Sequence, residues 1–371
     1  MRTWMFVVVA LALNTAARRA DAYPQWQLAR EMTCTGCHIS PDGAGLLNEN
    51  GTAVASAVAW KDYNPEFAYG KVPAPGWLQL GGDLRGAAGF VDPGFANGAG
   101  YPMQAEVSAR AATHGFSVFA NGGFRRPSED PNASVLHVLW SREHYVMWQQ
   151  KPDEGMGLFV RVGHLSPTYG LRLAEHIVYT QQYGGRPLYD EEYAASVSFV
   201  KREFEVHGAG FVHDPYGTPN EKGDGGALYA EARLGTHAAV GAEGKYSKAD
   251  EQTRMFGGIT GKLYLAGPDV MLMGEAELIQ QKLAVGGDKA NKIAAYVLGS
   301  RPLPHGLTLD VGVGHYTQDT RVKGLYRDCI DVNLHWFADP HFELLWTNRL
   351  ELLGDGGPNG GYSLAQLHVR L

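Results

Sequence analysis

The 371-residue chain contains only three cysteines, Cys34, Cys37 and Cys329. A small and odd number of cysteines does not make a framework of disulfides. The chain also lacks an excess of positive charge, since 39 acidic residues outnumber 32 basic ones and the formal net charge is -7. This balance argues against nucleic acid as a partner and is compatible with the attraction of cations.

Long apolar runs are equally scarce. The one candidate, Trp4 to Leu13, follows the positively charged Arg2 and precedes the small-residue cleavage pattern Ala20-Asp21-Ala22. Its ten or so apolar residues fall short of the roughly 20 that a membrane helix needs. Residues 1–22 therefore predict a cleaved secretory signal peptide, and export of a mature chain that begins near Tyr23.

Signatures of common enzymes are missing as well. There is no G-x-S-x-G motif and no phosphate-binding P-loop, and no two-histidine-one-carboxylate spacing marks an iron site. The glycines of "GGDLRG" and "VGVGHY" lie in strand-like stretches where small residues need no catalytic explanation. No catalytic side chain is predicted.

One strong motif is present near the start of the mature chain. Cys34-Thr35-Gly36-Cys37-His38 has the C-x-x-C-H spacing, in which two thiols form thioethers with a haem and the adjacent imidazole binds its iron. The rival interpretations are a redox dithiol, which lacks a strand-helix context, and half of a zinc site, which lacks a second Cys/His pair. The motif predicts one haem c on Cys34 and Cys37, with His38 as the proximal ligand.

The distal haem ligand is unknown from the sequence, because neither Met nor His occurs between His38 and Met103. A distal ligand supplied by the rest of the chain would have to point toward the interior of the fold. Six residues are candidates, by strand parity or by their place in an irregular segment: His335, His368, Met271, Met273, His164 and His176.

Residues 23–76 are predicted to be a monohaem cytochrome c segment followed by a linker. A segment of this size has little stability on its own, although a covalently attached haem would stabilise it. Five apolar residues predict one short helix face over the porphyrin: Leu46, Leu47, Val54, Val58 and Trp60. Pro73 and Pro75 mark the linker.

Residues 77–371 change to period-two alternation, as expected for strands with one polar and one apolar face. Clear examples are 104–111, 228–234, 329–336, 343–351 and 365–371. Turn-rich clusters such as "DPYGTPNEKGDGG" alternate with tight connections such as "AGP" and "ADPH". Long loops on one side and short turns on the other are typical of a transmembrane β-barrel, here of about 16 strands. The rival, a soluble β-sandwich, would not need charged residues on the parity opposite the apolar one.

Two segments are predicted to occupy the lumen of this barrel. Arg161 to Glu192 is the least regular stretch, and this irregularity suggests a loop folded into the lumen. A barrel of about 16 strands leaves an aqueous channel, and the haem segment has about the size of a plug. On the same parity, Cys329 faces the lumen as a free thiol.

The haem segment resembles that of the fused outer-membrane cytochrome-porin family, whose best-known members are iron oxidases. The matching residues are Ala29-Arg30, Cys34 to His38, Pro41, Leu47-Asn48 and Gly51. The chain departs from the family pattern by the longer gap "DGAGL" before Leu47 and by small residues after Gly51.

The resemblance implies a place in the bacterial outer membrane and electron transfer across it. Electrons would pass from an extracellular reductant such as Fe(II), through the haem, to a periplasmic electron-carrier cytochrome. This activity would be that of an iron(II):cytochrome c oxidoreductase. The barrel would be surrounded by the lipid of the outer membrane. Two alternatives stay open: a haem-bearing porin for solute diffusion, and a periplasmic electron carrier with a soluble β-domain.

Overall fold

The computed structural model of the chain describes residues 27–29, 31–43, 45–92, 99–124, 139–173, 177–187, 190–212, 223–354 and 359–371. The predicted signal peptide, Arg30 of the haem-segment pattern and His176 lie outside the described residues, as do most of the turn-rich clusters. No helix in the described part of the chain is long and apolar enough to cross a membrane.

Strands make up most of the described chain. In chain order they are β1 Leu78–Asp92, β2 Ala99–Thr113, β3 Phe116–Phe124, β4 Leu139–Trp140, β5 His144–Lys151, β6 Met156–Leu165, β7 Glu192–Val200, β8 Phe204–Val212, β9 Asp224–Leu234, β10 Ala238–Lys248, β11 Gln252–Leu265, β12 Val270–Leu283, β13 Lys289–Leu303, β14 Leu307–Thr317, β15 Tyr326–Asp339, β16 Phe342–Leu353 and β17 Gly360–Arg370.

These strands form one closed antiparallel barrel. Each strand pairs with its sequence neighbours, and β17 pairs with β1, for example Arg370 with Asp83, so the sheet has no free edge. The short β4 and the longer β5 both pair with β3 and are two pieces of one wall strand, which gives sixteen wall strands. The prediction of a barrel of about 16 strands is confirmed, and the soluble β-sandwich is wrong because closure leaves a single sheet around one lumen.

The two faces of the wall follow the predicted alternation. Apolar side chains on the outer parity stand exposed, such as Leu228 at 66% and Ile259 at 67% of their full accessible surface. Their neighbours on the inner parity, such as Tyr229 and Glu231 on β9, are buried. A barrel with an apolar outside and a polar inside is suited to a lipid surround, because in a closed sheet the backbone groups of each strand can pair with both neighbours.

The connections differ between the two ends of the barrel. At one end, here named the short-turn end, the turns are tight, as at 266–269 between β11 and β12 and at 340–341 between β15 and β16. The opposite end, here named the long-loop end, carries the connection of 26 residues between β6 and β7. This asymmetry agrees with the pattern in the sequence.

The N-terminal segment forms one helix, Glu49–Val58, and two 3-10 turns, Cys34–Gly36 and Phe67–Gly70. Asn48 caps the helix, because its side chain accepts a hydrogen bond from the Gly51 amide. The predicted apolar face is correct for Val54 and Val58, which are buried. It is wrong for Leu46, Leu47 and Trp60, since the first two precede the helix and the third follows it.

Substitution of an outward apolar residue by arginine tests whether the outer face of the wall contacts lipid. Ile259 and Met255 both point outward on β11, with Ile259 near mid-height and Met255 close to the long-loop end. We expect Ile259→Arg to destabilise the barrel in lipid by about 2–4 kcal/mol and Met255→Arg by about 0–1 kcal/mol. Urea unfolding from phospholipid vesicles measures both; equal effects would contradict a lipid-facing belt.

Candidate functional site

The candidate site is the lumen, which three parts of the chain fill together. One buried apolar cluster contains Leu28 from the N-terminal segment, Tyr169 and Tyr179 from the β6–β7 connection, and Met271 and Met273 from the wall strand β12. The N-terminal segment therefore packs inside the barrel rather than beside it. The predicted inward orientation of Met271 and Met273 is correct.

The N-terminal segment enters from the short-turn end. Glu31 forms an exposed ion pair with Arg202 of the β7–β8 turn at 2.9 Å, and Arg233 donates a hydrogen bond to the Met32 carbonyl. Gly155 of the β5–β6 turn leaves room for the chain, because a Cβ there would lie 2.7 Å from the Thr35 carbonyl oxygen. The C-x-x-C-H turn thus lies just inside this end of the barrel.

A buried ion pair anchors the segment deeper in the lumen. Arg161, on the inner face of β6, donates to Asp42 at 2.9 Å and to the Ser40 hydroxyl at 2.7 Å, and both charged side chains are 0% exposed. Arg172, from the β6–β7 connection, donates to the Pro41 carbonyl at 3.0 Å and is also paired with Glu205. We name residues 27–58 the plug, because these contacts fix them inside the barrel.

The β6–β7 connection is the inward-folded loop that the sequence predicts. Its Tyr169 hydroxyl donates to Glu277 at 2.7 Å, and the Leu171 amide donates to Glu275 at 3.1 Å. Further along, Tyr179 donates to Glu351 at 2.6 Å. Polar wall residues thus hold the loop across the lumen, from β12 to β16.

The C-x-x-C-H turn is tightly wound. The Cys37 and His38 amides both donate to the Cys34 carbonyl, at 3.1 and 2.9 Å. Asn48 joins the turn to the following helix by two hydrogen bonds. Its side-chain amide donates to the Thr35 carbonyl at 2.9 Å, and its backbone amide donates to the Cys37 carbonyl, also at 2.9 Å. Leu47 forms a backbone bridge with His38. The Leu-Asn part of the sequence pattern therefore has a structural role.

The donor set of this turn fits a covalently attached haem. Two thiols and one imidazole come from a single turn, and Cys37 packs against the apolar cluster of Val54, Val58 and Phe337. Cys34 is buried and accepts a hydrogen bond from Gln27 at 2.6 Å, and burial raises the pKa of its thiol. Cys34 and Cys37 would hold the group and His38 would bind its iron, as the sequence predicts. None of the three cysteines forms a disulfide.

Among the described candidates for the distal ligand, the histidines on the inner parity have acidic partners in the wall. His335 and His368 point inward as predicted, but their ring nitrogens lie 2.9 Å from Glu343 and 2.6 Å from Asp83 respectively. His164 is wrong as a lumen residue, because it ends strand β6 on the outer parity and stacks on His144. Cys329 is inward and buried, as predicted. No group of three or more potential metal-binding side chains is arranged for an ion within the described ranges.

Sequence reasoning missed Arg161, Arg172 and Asp42, which hold the plug. Arg161 is the one arginine on the inner parity of the otherwise apolar run "LFVRVGHL". A buried arginine needs a hydrogen-bonding or acidic partner. The inner parity of Arg161 could therefore have identified it as a contact residue of the lumen. Nothing in the sequence pairs it with Asp42, 119 positions away.

A glycine of the haem-segment pattern offers a test of the turn. A Cβ on Gly51 would lie 2.0 Å from the Cys37 carbonyl oxygen. We expect Gly51→Ala to push the helix away from the turn and to raise the rate at which protease cleaves the N-terminal segment by about tenfold, which corresponds to about 1.4 kcal/mol. The exposed substitution Ala53→Ser should leave the rate unchanged. Equal rates for the two variants would contradict the close approach.

Comparisons place the fold among known proteins. No family model and no curated protein sequence matches this chain. Among solved structures, OmpT of Vibrio cholerae matches with a TM-score of 0.62 and 11% identity over 81% of this chain and 100% of its own. An anion-selective porin from Comamonas acidovorans matches with a TM-score of 0.60 and 11% identity over 79% of this chain and 99% of its own. OprB of Pseudomonas putida matches with a TM-score of 0.56 and 13% identity over 79% of this chain and 94% of its own.

At such low identity, these matches show the fold alone. The chain is a closed antiparallel β-barrel that resembles the outer-membrane porins, and this fold supports a location in the outer membrane. The matches say nothing of a fused cytochrome, so the haem and its chemistry depend on the C-x-x-C-H turn.

Proposed function

We propose that this protein passes electrons across the outer membrane through one covalently bound haem c held by its plug. Cys34 and Cys37 would carry the thioether bonds, and His38 would be the proximal iron ligand. The observation that carries the proposal is the position of the C-x-x-C-H turn within the lumen of a lipid-facing barrel. A c-type haem supplies the capacity to accept and release a single electron.

The residues of this chain contribute position and insulation. The ion pair of Arg161 with Asp42 and the hydrogen bond from Arg172 to Pro41 fix the plug. The cluster of Val54, Val58 and Phe337 keeps water from the Cys37 side of the turn. The wall separates this turn from lipid. The turn lies at the short-turn end, where Thr35 is close to the β5–β6 turn, and this is where the haem would release its electron.

The donor and the acceptor belong to the proposal too. An extracellular reductant such as Fe(II) would lose one electron to the haem, and a periplasmic electron-carrier cytochrome would remove it. Export by the predicted signal peptide and the net charge of -7 are compatible with this assignment. The activity would be that of an iron(II):cytochrome c oxidoreductase.

The test mixes the detergent-purified protein with ferrous iron without oxygen and follows absorbance by stopped flow. Growth of the reduced c-type bands within seconds supports the proposal. The double variant Cys34→Ser, Cys37→Ser should carry no covalent haem, while Cys329→Ser should keep it. A haem that dithionite reduces and Fe(II) does not would overturn ferrous iron as the donor, and an absence of covalent haem in the unmodified protein would overturn electron transfer altogether.

The comparisons favour a second candidate, a porin for solute diffusion. Porin folds are the ones that the barrel matches, including an anion-selective porin. In this candidate the plug would narrow the channel and not close it. Steady ion conductance of the full-length protein in planar bilayers would support diffusion, whereas a closed barrel with reducible haem would support electron transfer.

A further inference from the structure

The chain leaves the lumen by crossing the rim of the barrel at the short-turn end. Val58, the last residue of the helix, packs inside against Phe337, an inward residue of β15. Two residues later, the Trp60 ring lies 6.0 Å from the ring of Trp336. Trp336 has the outer parity of the same strand. The path from Val58 to Trp60 therefore passes from the inside of the wall to its outside.

Backbone contacts fix this crossing. The Trp60 amide donates to the Phe337 carbonyl at 2.9 Å, and the Lys61 amide donates to the Ala338 carbonyl at 3.0 Å. Gly306, in the β13–β14 turn, makes room for the chain, because a Cβ there would lie 2.8 Å from the Trp60 amide nitrogen. The position of Trp60 outside the rim is thus set by the wall itself.

The surroundings of Trp60 are those of a membrane interface. Its indole is 47% exposed and lies 6.0 Å from the His305 ring in an edge-on arrangement. The Lys61 ammonium lies 4.5 Å above the indole. Tryptophan concentrates where a bilayer meets water, and lysine extends its charged end toward the headgroups while its stem stays apolar.

Trp60 also continues a surface whose lipid contact follows from the fold. On β15 the outward residues Ile330 and Val332 are exposed apolar side chains, and the half-buried Trp336 is the last large apolar residue on that parity before the turn. Transmembrane barrels carry aromatic residues at both edges of this apolar band. Trp60 adds to that edge although it directly follows the plug and does not belong to a strand.

We propose that Trp60 is a lipid anchor of the plug. Its indole lies at the boundary between phospholipid headgroups and acyl chains at the short-turn end, with Lys61 directed to the headgroups. The indole would thereby hold the C-terminal end of the plug at the membrane interface. The proposal does not depend on the haem, so it stands or falls separately from electron transfer.

The test uses the full-length protein with benzoylphenylalanine, a photo-crosslinking aromatic residue, in place of Trp60. The purified protein is reconstituted in vesicles of phosphatidylethanolamine and phosphatidylglycerol, irradiated and analysed by mass spectrometry. The same replacement at Trp346, exposed on the outer parity of β16, is the positive control, and at Val285, 88% exposed in the β12–β13 loop, the negative control. A heat-dependent shift in gel migration confirms that each variant is folded.

We expect a phospholipid adduct at position 60 with a yield within about threefold of that at position 346, and at least tenfold above that at position 285. A yield at position 60 as low as that at position 285 would overturn the proposal. The variant is also irradiated in intact cells. An adduct with a protein instead of a lipid there would show that Trp60 faces a soluble partner, and this too would overturn it.

Discussion

Deletion of residues 23–58 is expected to turn the protein into an open ion channel. The barrel has sixteen wall strands, and barrels of this size enclose an aqueous channel when nothing fills them. In this chain the plug fills the lumen together with the β6–β7 connection, through contacts such as Arg161 with Asp42 and Leu28 with the wall cluster. Within the described part of the chain, removal of the plug leaves the β6–β7 connection as the remaining obstacle.

Single-channel recording in planar bilayers measures this effect. We expect steady conductance from the deletion variant, at least tenfold above that of the full-length protein. The variant Cys34→Ser, Cys37→Ser is the matched control, because it removes the haem thioethers and keeps the plug; it should remain closed. A full-length protein that conducts as well as the deletion variant would show that the plug does not block the lumen, and would favour the diffusion candidate. Two equally closed proteins would show that the β6–β7 connection is sufficient to block it, and would contradict the prediction.

Replacement of Arg161 by methionine is expected to loosen the plug without removing it. The guanidinium and the Asp42 carboxylate are both fully buried, so the substitution leaves a buried carboxylate without its cation. Loss of one partner of such a pair costs about 3–5 kcal/mol. Because Arg161 belongs to the wall and Asp42 to the plug, we expect the loss to appear as plug release, with bursts of conductance and faster proteolysis of the N-terminal segment.

Two further variants make the test specific. The double variant Arg161→Met, Asp42→Asn should recover part of the loss, because no unpaired charge stays buried. Arg202→Met breaks the exposed pair with Glu31, which also joins wall to plug, and should cost at most about 1 kcal/mol. If Arg161→Met changed neither conductance nor proteolysis, the ion pair would not be what holds the plug.

The wall was the part of the fold most open to prediction. Alternation places Tyr229 and Glu231 inside and Leu228 outside, because a strand has an exact period of two and the two surroundings differ in polarity. The same parity placed His335 and Cys329 inside. His164 was a candidate for the lumen because of its place in the irregular segment, and that prediction was wrong, because His164 continues the outer parity of β6.

The plug was predictable as a segment and not as a set of contacts. The C-x-x-C-H spacing and the Asn48 cap are local patterns, since their partners lie within a few residues to about a dozen. The contacts that hold the plug are not local: Arg161 and Asp42 are 119 positions apart, and Arg172 and Pro41 are 131 apart. No periodicity links such pairs.

The sequence by itself determined the strands, their two faces, the asymmetry of the connections and the haem-binding spacing, because each depends on residues close together in the chain. The size of the N-terminal segment also predicted that it fills the lumen as a plug. Only the tertiary structure decided that Arg161 and Arg172 receive this segment, and that Trp60 emerges outside the rim. Closure of the sheet creates an interior that must be filled, and which side chains meet there depends on the curvature and register of the whole wall.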